Sequence, residues 1–173
     1  YSQLYFIHHA FGVEILSFVL MQNHFHLLVR TPEANLSEAM RWFMRESSRS
    51  LAFHGQRINP IYGARHYKGI IDSAHYFLHA YKYVYANPLK AGLVNRVEDY
   101  PYSSLYGLLG KGRIGFPVEH DDTLYSDFNG TLEWLNRIPS EENWKVVRDA
   151  LRKKRFQLKK FQKDLHPLEH DML

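Results

Sequence analysis

Two histidines one residue apart interrupt an otherwise apolar stretch, VLMQNHFHLLVR, residues 19–30. In an extended strand side chains alternate between faces, so His24 and His26 share one face while Phe25 and Leu27 take the other. Two imidazoles side by side are either the polar face of a half-buried strand or half of a metal site. A second group lies in YFLHAYKYVYANPLK, residues 76–90. Tyr83 and Asn87 are four residues apart, hence neighbours on one helix face, and His79 lies one turn earlier. A phenol is an oxygen nucleophile once its phenolate is stabilised, and an amide offers a neutral carbonyl ligand. Two imidazoles and an amide oxygen suit a divalent ion of intermediate hardness, Mg²⁺ or Mn²⁺, with waters and a phosphate oxygen completing the shell. Such an ion would act as a Lewis acid on a phosphodiester that the tyrosine attacks. Each piece also has a bland reading: Tyr81 and Tyr85 as packing aromatics, and His79 as a satisfied core histidine or a group behind the ligands.

These residues need elements to hold them. Residues 2–11 read as the end of a helix stopped near Gly12. Residues 13–21 and 24–30 are rich in β-formers and separated only by Gln22 and Asn23, which predicts an antiparallel hairpin. The stretch TPEANLSEAMRWFMRESSRSLAFHG predicts a helix with Asn35 as N-cap, Glu38 three residues on, and Gly55 as the stop. Leu36, Met40, Phe43 and Leu51 should face the core, with Arg41, Arg45 and Arg49 as a stripe elsewhere. A short strand is expected around 67–71. A helix should then start at Ser73 and bend or end near Asn87 and Pro88, because the residue before proline disfavours the α region.

Composition bounds the class. The chain has 173 residues, 45% of them hydrophobic and 15% aromatic, enough for one packed core with an appendage. It has no cysteine, which excludes disulfides, thiolate metal sites and cysteine nucleophiles. No apolar run approaches the ~20 residues of a membrane span and no signal peptide is evident, so a cytoplasmic protein with no membrane partner is expected. The net charge of +4 is unevenly spread. Residues 1–147 hold fourteen basic and fourteen acidic side chains, whereas 148–163, RDALRKKRFQLKKFQK, carry eight basic residues against Asp149 alone. A block of that density is an electrostatic footprint for nucleic acid, or else a solvated helix face.

In order and separation, MQNHFHLLV, YVYANPLKAGLV and DYPYSSL closely resemble the single-tyrosine transposases of the HUH endonuclease superfamily, the REP-associated tyrosine transposases in particular. The resemblance runs from about Glu14 to Leu105. It implies an α+β fold, a ferredoxin-like antiparallel sheet with packed helices, here followed by a basic helical extension capped at Ser140. It implies two histidine metal ligands, His24 and His26, with Asn87 completing the site and Tyr83 as the catalytic nucleophile. The implied activity is metal-dependent nicking and joining of single-stranded, hairpin-associated DNA through a covalent 5′-phosphotyrosine. A homodimer is the expected assembly. Arg65 and Lys68 near the sheet, and Arg152, Lys153, Lys154, Arg155, Lys159 and Lys160 in the basic block, are expected to contact DNA, with Phe156 and Phe161 stacking on bases.

The chain departs from the family at Gln22, where proline is usual, and it lacks the first strand expected before the opening helix. An N-terminal segment omitted from this numbering is the expected cause, as the opening residue, Tyr1 rather than Met, also suggests. The organisation expected is a catalytic domain over 1–110 and an extension over 111–173, divided in the Gly/Lys stretch 107–115. Three rivals stay open: a domesticated nuclease of repeat hairpins, an inert DNA-binding protein, and a metal hydrolase that uses water and no covalent adduct.

Overall fold

The computed structural model describes residues 1–55 and 67–157. It is an α+β structure in which a two-stranded antiparallel sheet packs against several helices. β1 (Glu14–Leu20) and β2 (Phe25–Arg30) form the hairpin that the alternation predicts, with Val19 opposite His26 and Leu20 opposite Phe25. The Met21 N–H donates to the His24 carbonyl at 2.8 Å and closes the turn over Gln22 and Asn23.

The two faces of the hairpin serve two hydrophobic clusters. Ile15, Phe18, Phe25, Leu27 and Val29 face α1 (Ser2–Phe11) and α2 (Leu36–Gly55), meeting Leu4, Ile7, Met40 and Phe43. Leu16, Val19 and Leu28 face α3 (Ala74–Lys90). Strand alternation thus sends the histidines of β2 to the α3 side. A bulge between Ile15 and Ser17 lets β1 supply both faces despite its run of apolar residues.

α3 is the central element. Its residues from His79 to Ala86 are all buried, which one apolar stripe could not achieve. The hairpin covers one side and the C-terminal helices cover the other: α5 (Asp122–Ser126), α6 (Phe128–Asn136) and α7 (Glu141–Leu151) contribute Leu124, Leu135, Trp144, Val147 and Ala150 to the same cluster. The segment beyond residue 110 therefore shares a core with α3. α4 (Ser104–Leu108) closes the free edge of β1, where Ser104 Oγ accepts from Phe18 N–H at 2.9 Å. The same hydroxyl lies 2.9 Å from Tyr85 Oη, so one serine ties strand, α3 and α4 together.

Local expectations were met unevenly. α1 ends at Gly12, whose φ of 62° needs a residue without Cβ. Ser73 caps α3, its Oγ accepting from Tyr76 N–H at 3.1 Å. Asn35 sits before α2, but its side-chain amide donates to the Phe11 carbonyl at 2.8 Å and pins the end of α1 instead. Leu51 is exposed, because α2 runs on past the cluster that buries Met40 and Phe43. α3 passes through Pro88 and ends two residues later, at Lys90, near the expected point; only the last turn loses a donor there, so the cost of the proline is small. The strand expected over 67–71 is reduced to one parallel bridge between Ile70 and Arg155.

That bridge also corrects the basic helix. α7 ends at Leu151, and residues 152–155 turn to pair with Ile70, whose N–H donates to the Lys154 carbonyl at 3.0 Å. Phe156 is fully buried against Tyr76, with ring centroids 5.0 Å apart, and is core rather than a base-stacking platform. Phe161 lies outside the described residues.

Candidate active site

His24 and His26 stand at the start of β2, where the hairpin turn leaves one face open. Their Nε2 atoms are 3.1 Å apart. Nδ1 of His24 lies 2.7 Å from Asn23 Oδ1. An amide oxygen can only accept, so Nδ1 carries the proton and Nε2 presents a lone pair toward His26. Burial lowers the pKa of His24 below 6.5. Burial, then the charge of His24, lowers that of His26 to about 4. Both rings are therefore neutral near pH 7 and keep their lone pairs.

α3 brings Tyr83 to this pair. The ring of His26 meets that of Tyr83 edge-on, with centroids 5.4 Å apart and planes at 89°. Tyr83 is 9% exposed, and the indole of Trp144 stacks on its ring at 4.7 Å. Burial pushes the phenol above its ordinary pKa, while the Arg148 and Arg152 guanidinium groups and hydrogen bonding from Asn87 pull it back. Asn87, one turn on, also donates its side-chain amide to the Tyr83 carbonyl. The four residues singled out for metal and nucleophile chemistry thus occupy the junction of one hairpin with one helix.

Two nitrogens that each lie about 2.1 Å from one ion, near a right angle, stand about 3 Å apart. The His24–His26 pair, neutral and converging at 3.1 Å, has the spacing of such a chelate. Among the described residues no group of three or more His, Cys, Asp or Glu side chains could hold a metal ion. Among the described residues a further protein ligand would be of another type, such as the Asn87 amide.

The other residues fall elsewhere. His79 is buried one turn before Tyr83, its Nε2 3.0 Å from that of His75. Lys68 is exposed and donates to Ser37 Oγ at 2.7 Å. Arg152 follows α7, its guanidinium 6.0 Å above the Tyr67 ring. Lys153 and Lys154 are exposed in the turn that follows, and Arg155 pairs with Asp72. Arg65, Lys159 and Lys160 lie outside the described residues.

Sequence reasoning missed the contribution of α7. Trp144 and Asn143 line a small cavity with His79, Lys82, Tyr83, Pro139 and Val147. Lys82 is 2% exposed, with its ammonium 5.0 Å over the Trp134 ring. A lysine inside a helix otherwise buried all round was a readable sign of this packing. For Trp144 the sign was weaker: an aromatic on the apolar stripe of an amphipathic helix has no stated destination.

Residues 2–87 match the family described as Transposase IS200 like, a segment that opens on α1 and ends on Asn87. A REP-associated tyrosine transposase of Escherichia coli (strain K12) is 28% identical over 106 residues, covering 61% of this chain and 61% of that protein. The match thus spans about three fifths of the length of that curated relative. No solved structure matches. The chain thus carries a weak but specific match to the IS200-like and REP-associated tyrosine transposase family.

Proposed function

We propose that this chain nicks and rejoins single-stranded DNA through Tyr83, on a scaffold of the HUH, ferredoxin-like type. One observation carries the reading: the neutral His24–His26 pair lies against Tyr83, with His26 and the phenol ring 5.4 Å apart, inside the segment that matches the transposase family. In this reading Tyr83 Oη bonds to the scissile phosphorus and the P–O3′ bond breaks. The products are a 5′-phosphotyrosine and a free 3′-OH, and the phenol proton passes through water to the leaving 3′ oxygen. The covalent link conserves the phosphodiester, so rejoining needs no nucleotide cofactor.

Mg²⁺ or Mn²⁺, held by His24, His26 and Asn87, would polarise the phosphate as a Lewis acid. The chain's own part is to keep both imidazoles neutral, to orient His24 through Asn23, and to hold Tyr83 between His26 and Trp144. The likeness to a REP-associated relative favours hairpin-forming DNA as substrate. Action in the cytoplasm and assembly as a homodimer complete the proposal.

The test incubates the full chain with labelled single-stranded hairpin pools and Mn²⁺ or Mg²⁺, followed by a denaturing gel. A metal-dependent protein–DNA adduct, absent in Tyr83→Phe and His24→Ala, is the expected result. Cleavage without an adduct, undiminished in Tyr83→Phe, would replace this reading with a hydrolase that uses water. No adduct and no cleavage from any pool would point to an inert DNA-binding protein.

A further inference from the structure

We infer that α7 completes the active site, with Arg148 and Arg152 binding the phosphate that Tyr83 attacks. The inference rests on the phosphotyrosine reading and adds to it two residues from outside the family-matched segment. The geometry begins with Trp144. Its stack on Tyr83, at 4.7 Å and 30° between planes, fixes the rotation of α7 about its axis. Residues four apart lie on one helix face, so Arg148 follows Trp144 by one turn and Arg152, still in helical conformation as the C-cap, by two. The line of Trp144, Arg148 and Arg152 therefore runs along the flank of α3 that carries Tyr83.

The charges agree with that line. Arg148 and Arg152 both draw the Tyr83 phenol toward its charged form, and Asp149 acts against them. Arg148 keeps only a loose contact with Asp149, Nε to Oδ1 at 3.7 Å, and its side chain is 43% exposed. Arg152 is exposed as well. Two exposed guanidinium groups, one and two turns from the indole that covers an oxygen nucleophile, suit a transferring phosphoryl group. They neutralise the charge that builds on its equatorial oxygens and can bind them in pairs. Residues 152–155 thus divide: Arg152 holds its guanidinium 6.0 Å over the Tyr67 ring, whereas Arg155 is spent on Asp72.

The test uses the full chain and a hairpin oligonucleotide selected from a cleavable pool, synthesised with either a phosphate or a neutral methylphosphonate at the cleavage position. Binding is measured in EDTA, and adduct formation separately with Mn²⁺. The methylphosphonate should weaken binding several-fold to the wild-type chain and have no effect on Arg148→Ala/Arg152→Ala. Each single alanine variant should slow adduct formation at saturating DNA roughly tenfold or more, as loss of a charge-stabilising donor does. Arg148→Lys should recover part of the rate, because it keeps the charge and loses the fork. Arg30→Ala, an exposed cation at the far end of β2 from His26, should change neither readout.

Equal discrimination against the methylphosphonate in wild type and double variant, with unchanged rates, would overturn this inference and leave the phosphotyrosine reading standing. Faster adduct formation in the variants would also overturn it, by making α7 a cover over Tyr83. Failure of the wild type to form any adduct would remove both.

Discussion

The indole of Trp144 in α7 lies over the ring of Tyr83 in α3, centroids 4.7 Å apart and planes 30° from parallel. The same tyrosine meets His26 edge-on at 5.4 Å. Tyr83 is therefore clamped between the N-terminal hairpin and the C-terminal helices, and its position depends on both. Trp144 is 7% exposed, so Trp144→Ala should cost about 3–5 kcal/mol, the usual range for truncating a buried aromatic. Urea denaturation of the full chain measures this, with Trp144→Phe expected to recover a large part. A loss below 1 kcal/mol would mean that α7 is seated by its other contacts.

Ser104 joins three elements through one hydroxyl. Replacing it by alanine leaves the Phe18 N–H without its acceptor and Tyr85 Oη without its partner, in a region where Ser104 is 1% exposed. Ser104→Ala should destabilise by about 1–3 kcal/mol, the cost of stranding a buried polar group. Hydrogen exchange should show the Phe18 amide losing protection ahead of the rest of β1. Protection equal to wild type would show that a water takes over the hydroxyl's role.

In metal-free protein His26 should titrate near 4, well below the 6.5 of an unperturbed histidine. Burial is the larger cause and His24 the smaller, so His24→Ala should raise the His26 value without restoring 6.5. The sign for stability follows. Between pH 6.5 and 4 the unfolded chain takes a proton on this residue and the folded chain does not, so the fold loses stability as pH falls through that window. Imidazole chemical shifts in wild type and His24→Ala check both parts.

Tyr81 donates to Asp121 at 2.6 Å in the core, joining α3 to the N-terminus of α5. Burial raises the Asp121 carboxyl above 3.8, and the hydrogen bond from Tyr81 works against that rise. Tyr81→Phe should therefore raise it further and cost about 1–3 kcal/mol near neutral pH, where the carboxylate is left short of a donor. Because the folded value lies above the unfolded one, part of that stability returns as pH falls through the folded pKa toward 3.8. Carboxyl carbon shifts of Asp121 in the two proteins test the direction; an unchanged value would show that a water replaces the phenol.

Alternation and helical spacing are local rules, and what they govern was legible in the chain. The common face of His24 and His26, the hairpin around Gln22 and Asn23, the stop at Gly12 and the cap at Ser73 each follow from a few neighbouring residues. The i,i+4 relation of Tyr83 and Asn87 is of the same kind. Local rules failed where distant segments compete for one group. The Asn35 amide pins Phe11, Phe156 fills a hole beside Tyr76, and the basic run after Leu151 pairs with Ile70 rather than extending a helix.

The chain by itself determined the chemical types available to the site and the pairs that share a strand face or a helix face, because backbone periodicity sets those within a few residues. Only the tertiary structure decided that the hairpin's histidine face and α3 meet at Tyr83. It also decided that Trp144, more than sixty residues away in sequence, covers this tyrosine. Those contacts are set by how two hydrophobic clusters share one central helix. Burial of that kind is a property of the whole packed chain and leaves no mark at the spacing of any single motif.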